Sequence, residues 1–114
     1  MIDVAPERFA ELVGEALDGI PAELGQLMEN VVVTIDDDSP PGGLYGRYEG
    51  VPLTNRAAYG GLVMPDKITI FRQTICASAH SLQGVVAQVR KTVLHEVAHH
   101  FGIDDDRLTE LGWA

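Results

Sequence analysis

Leu82, Val85, Val86, Val89, Val93, Val97 and Phe101 recur three or four positions apart through one stretch of about twenty residues. That spacing is the apolar face of an amphipathic α-helix, and a helix of that length crosses the breadth of a small domain. In a chain of 114 residues, which is one domain's worth and too short for two ordinary cores, it is the element that most constrains the fold. Gly102 stands where such a helix needs a left-handed stop. The helix runs directly into the polar string HEVAHH at 95–100, which continues as FGIDDDRL.

The remaining elements are shorter. Phe9, Leu12, Val13, Ala16, Leu17 and Ile20 form a second apolar stripe, with Pro6 suited to the first turn of a helix over the first twenty residues. PAELGQLMEN after Gly19 reads as a short helical segment. VVVTI at 31–35 is β-branched and apolar throughout, which predicts a strand covered on both faces. Residues 36–50, with two prolines and four glycines, read as one long loop whose acid run is a solvated turn. A loop of that length in a small domain makes a candidate rim or flap. GLVMP at 61–65 and KITIFR at 67–72 predict two extended segments joined by a turn at Pro65–Asp66, and DDRLTELGW predicts a last short helix. No repeat or low-complexity tract interrupts the pattern.

Composition narrows the setting. Seventeen acids against eight bases give a net charge of −9, which disfavours attraction to nucleic acid or to anionic membranes. No apolar run approaches the eighteen residues of a membrane helix, and MIDVAPERFAEL lacks the basic and apolar regions of a secretory leader. A cytoplasmic location is therefore the expectation. The single cysteine, Cys76, excludes an internal disulfide and reads as a small buried apolar side chain.

The chemistry lies in the string at 95. His95 and His99 are four apart in a helical pattern, so both imidazoles project from one face and reach a single Zn²⁺. Glu96 is rotated about 100° from His95, out of the coordination shell but within reach of a metal-bound water. That is the general-base position of H-E-x-x-H. A catalytic zinc site usually has a third protein ligand. Gly102 lets the chain leave the helix, and Asp105 follows three residues later at H-x3-H-x5-D spacing. Asp104 and Asp106 compete for the same role, capping of the last helix being their alternative, and Glu110 is a more distant candidate. His100 is rotated off the metal face, and His80 is expected to cap the long helix or to face solvent. One of Tyr45, Tyr48 and Tyr59 is a candidate hydrogen-bond donor to a tetrahedral oxyanion.

HEVAHHFGIDD resembles the H-E-x-x-H-x-x-G-x-x-D variant of the zincin metallopeptidase signature. With GVPLTNR in the middle and PDKITIFR ahead of the long helix, most of the chain is similar to the small bacterial minimal zincin family, most strongly from Pro65 to Gly112. The resemblance implies a single small α+β zincin domain, a short mixed sheet packed on a long active-site helix. It implies zinc held by His95, His99 and Asp105, Glu96 as general base, and a peptide or protein as substrate. The larger metzincins carry a third histidine where Asp105 stands, and aspartate is a harder ligand. Their Met-turn lies downstream of the motif, whereas Met1, Met28 and Met64 all lie upstream, so no Met-turn is expected. Trp113 or Leu111 is the candidate to pack near the site instead. No second substrate-gripping subdomain is evident, so the expectation is a cleft that is shallow or completed by another chain.

Three functions follow for comparison. The first is a zinc peptidase whose extended substrate pairs with a strand edge within 61–72. The second is a metal-dependent ribonuclease, which the chain resembles in spacing only. Glu96 and the net acidity oppose it. The third is a noncatalytic module with a closed, structural metal site of about four protein ligands.

Overall fold

The computed structural model describes residues 1–38, 40–50 and 65–113. Pro6–Asp18 forms helix α1 and Ala22–Leu27 the short α2. Three strands follow, β1 Val31–Asp36, β2 Gly46–Glu49 and β3 Asp66–Phe71. Helices α3 Arg72–Ser78, α4 Leu82–His100 and α5 Asp105–Leu111 complete the described chain. The sheet is mixed and ordered β1-β3-β2, with β1 parallel and β2 antiparallel to β3. Helices and this sheet make the α+β fold that the sequence leads one to expect.

α4 is the organising element, since it packs against α1, α2, α3, β2 and β3. Ser81 starts it by accepting a hydrogen bond from the Gly84 N–H at 2.9 Å. Val85, Val89, Val93 and Val97 are fully buried, in one core with Phe9 and Leu12 of α1 and Ile68 and Ile70 of β3. Burying each such aliphatic side chain contributes about 1.5–3 kcal/mol. The ends of the stripe behave differently. Leu82, the first residue of the helix, and Phe101, just past its end at His100, are exposed.

The structure corrects several expectations. β1 is covered on one face and not on both. Val31, Val33 and Ile35 pack on the core while Val32 is 43% exposed. β3 is the strand buried on both faces, from Ile68 to Phe71, and it lies between the other two in the sheet. With β1 on one side and β2 on the other it offers no edge to a substrate over 66–71, contrary to the expectation for that part of 61–72, and 61–64 lie outside the described residues. The loop expected over 36–50 contains β2, and a helix occupies 72–78 where extended chain was expected to reach Arg72. Arg72 secures that switch, donating to Asp37 at 2.7 Å and to the Val4 carbonyl at 2.8 Å. The pairing holds its guanidinium still more firmly protonated, and it takes Asp37 out of a purely solvated turn. Cys76 is buried in α3 and burial pushes its thiol up, as befits an inert core cysteine. The extended segment expected at 61–65 and the GVPLTNR resemblance fall almost wholly outside the described residues, as does Tyr59.

Candidate active site

The end of α4 turns the chain back on itself. Gly102 has φ +80°, and the Ile103 N–H reaches the Ala98 carbonyl at 2.7 Å while the Gly102 N–H bonds the His99 carbonyl. This is a Schellman arrangement, in which a left-handed residue lets the last helical carbonyls find donors. Asp104 then caps α5 by accepting from the Arg107 N–H at 2.8 Å. Asp105, the first residue of α5, swings its carboxylate to the histidines. Its Oδ1 lies 3.0 Å from His99 Nε2 and 3.8 Å from His95 Nδ1. Asp106 makes no contact of this kind among the described residues.

His95, His99 and Asp105 bring one donor atom each within 4.8 Å of one another. A tetrahedral ion bonded at about 2.0–2.2 Å wants donors about 3.3–3.6 Å apart, which the 3.0 and 3.8 Å separations bracket. The two rings stand edge to face with centroids 5.7 Å apart. A ring flip exchanges which nitrogen faces Asp105 at no cost in backbone position. Two neutral imidazoles and a carboxylate suit a divalent ion of zinc's hardness. The donor set and spacing fit such an ion.

The three donors stand at one end of a cleft of about 410 Å³. α4 supplies its floor through Gln88, Lys91, Thr92, His95, Glu96 and His99, and the run Gly43–Gly46 supplies its wall. The floor is one stripe of the helix, since these positions fall on the same face over three turns. Glu96 thus faces the same space as both histidines. The wall can lie this close because Gly46 lacks a side chain: a Cβ there would come 2.7 Å from Thr92 Cγ2 and 3.0 Å from the Thr69 carbonyl oxygen. Tyr45, 38% exposed, lines the cleft beside it.

His100 points the other way. Its ring stacks on Tyr48 with centroids 3.9 Å apart and planes 18° from parallel. The Tyr48 hydroxyl donates to Asp66 Oδ2 at 2.7 Å, and His100 Nε2 lies 3.8 Å from the same oxygen. Burial, then the bond to Asp66, raises the Tyr48 phenol well above the usual tyrosine range. The cluster ties β2 and β3 to the last turn of α4, next to His99. Sequence reading placed His100 off the metal face but had no signal for the stack, because Tyr48 and Asp66 come from strands of unknown register. It likewise passed over Lys91, although Lys91 stands four residues before His95 on the same helical face. His80 does not cap α4, a role Ser81 takes. Its Nδ1 instead lies 3.3 Å from the Met1 amine. Trp113 is partly buried against the core and lines, with Ala87, Arg90, Lys91 and Leu94, a hollow other than the cleft, and Leu111 is exposed.

A helix carrying H-E-x-x-H, a returning aspartate and a cleft along the helix are the parts that a zincin-type site would use. The chain belongs to the zincin-like metallopeptidase family, whose model matches residues 28–113. Among solved structures, a conserved hypothetical protein from Thermus thermophilus has a similar fold, with a TM-score of 0.55 and 23% identity over 85% of this chain and 94% of that one. No curated protein matches the chain. No helix among the described residues is long and apolar enough to cross a membrane.

Proposed function

We propose that the cleft is the active site of a zinc-dependent peptidase, with His95, His99 and Asp105 as metal ligands and Glu96 as general base. The observation that carries this reading is the meeting of three metal-binding donors within 4.8 Å at the end of a cleft that Glu96 also lines. When bound, zinc supplies a Lewis acid that polarises the scissile carbonyl and acidifies water. Glu96 takes the proton from the attacking water and returns it to the leaving amine. Of the two candidate tyrosines among the described residues, Tyr45, exposed on the cleft wall, is the one left to donate to the oxyanion. Tyr48 is engaged with Asp66 and His100.

The donor count favours catalysis over a closed structural site. Residues 51–64 contain no histidine, cysteine, aspartate or glutamate, so the cluster of three draws no fourth such ligand from them. Three protein donors leave a position open for water and substrate.

Glu96→Gln tests the assignment. The variant retains stoichiometric zinc, measured by atomic emission, and loses peptide hydrolysis by roughly a hundredfold or more, the usual worth of a general base. Equal hydrolysis by the two proteins would remove Glu96 from the mechanism.

A further inference from the structure

The chain is strongly acidic, with seventeen acids against eight bases, and among the described residues its cations are almost all engaged. Arg8, Lys67, Arg72 and Arg107 each pair with a carboxylate. Arg47 lies over the Phe71 ring and Arg90 donates to the Ala16 carbonyl. Among the described lysines and arginines Lys91 alone has no hydrogen bond, ion pair or ring contact. It is exposed, and it stands on α4 between the candidate active-site cleft and a second hollow beside Trp113, lining both. A lysine left unpaired among so many carboxylates is available to a ligand.

Its position sets where that ligand's charge must be. Lys91 stands four residues before His95, one turn or about 6 Å along the helix and on the same face. An extended peptide advances about 3.3–3.6 Å per residue, so the ammonium reaches a group one or two residues from the bond held at His95 and His99. The charges favour an anion there. A divalent ion would be balanced by the Asp105 and Glu96 carboxylates, which leaves the Lys91 charge uncompensated.

We propose that Lys91 is a specificity residue that selects peptides bearing a carboxylate one or two residues from the scissile bond, on the Gln88 side of the cleft. The proposal rests on the peptidase reading for the word scissile, but the recognition of a carboxylate stands on the cleft itself. Side-chain and C-terminal carboxylates share the same chemistry, and the test separates them.

The zinc-loaded full chain carrying Glu96→Gln is titrated with blocked, amidated peptides that differ only in glutamate, glutamine or lysine near the centre, and with the glutamine peptide bearing a free C-terminus close to that centre. Fluorescence anisotropy gives each Kd, and cleavage of the same peptides by the wild type is followed in parallel. A carboxylate peptide, amidated glutamate or free C-terminus, is expected to bind about fivefold tighter than its neutral counterpart, the upper worth of a largely exposed ion pair. Whichever of the two gains identifies the source. The preference should shrink in 1 M salt and invert toward lysine in Lys91→Glu. Circular dichroism confirms that this exposed helical substitution leaves the fold intact. Equal Kd values, a preference unchanged by Lys91→Glu, or no binding of any peptide overturns the inference. Discrimination in binding with no cleavage by the wild type overturns the peptidase reading and leaves carboxylate recognition standing.

Discussion

Asp104, Asp105 and Asp106 are chemically identical and adjacent, yet each has a different environment. Asp104 accepts the Arg107 N–H, Asp105 faces His95 and His99, and Asp106 lies in solvent. Three single substitutions should therefore separate. Asp105→Asn is expected to weaken zinc binding by roughly a hundredfold or more, read by competition with a chromophoric chelator. Asp104→Ala should leave zinc affinity nearly unchanged and cost about 1 kcal/mol of stability through the lost cap. Asp106→Asn should do neither. A loss of zinc affinity greatest in Asp104→Ala or Asp106→Asn would move the third ligand. Much of this division is legible in the sequence, since a glycine stop followed by an N-cap aspartate leaves its neighbour at the head of the next helix. What the spacing leaves open is which of the three turns inward. That depends on the phase in which α5 begins, and the Gly102 turn decides it.

At the scale of elements, β2 and the run before it show where local signals fail. GGLYGRYEG reads as loop because its glycines deny regular structure. Gly42 and Gly43 do have positive φ, but Gly46 is a strand residue whose missing side chain admits Thr92 of α4. Nothing local distinguishes a turn glycine from one required by a neighbouring helix. Gly46→Ala should cost about 1–3 kcal/mol by overpacking, measured as a lowered urea midpoint at constant slope. Adding Thr92→Ser, which removes the colliding methyl, should recover part of that loss. Strictly additive costs in the double variant would show that the two positions do not collide. The same blindness explains β1. Its apolar run is right for a covered strand, but only Val31, Val33 and Ile35 meet the core, while β3 is the strand buried on both faces.

For the whole molecule, the candidate metal centre lies beside the core rather than within it. His99 and Asp105 are exposed and His95 is partly so, while the core joins α1, α3, α4 and β3 through fully buried aliphatic side chains. Stripping zinc with a chelator should therefore leave a folded protein with a single cooperative melting transition. Zinc at about a thousandfold over its Kd should add about 4 kcal/mol, a rise in Tm of ten degrees or more for a chain this size. A chelated protein without a melting transition would show that the ion belongs to the folding core. The sequence by itself determined the long helix, the pair of histidines and the glutamate on it, and the glycine that ends it. Each of these follows from a period or a dihedral within a few residues. Only the tertiary structure decided the sheet order, the close wall at Gly46, the stack of Tyr48 on His100 and the company of Lys91. These depend on contacts between residues far apart in the chain, and local periodicity carries no record of which distant surface a side chain will meet.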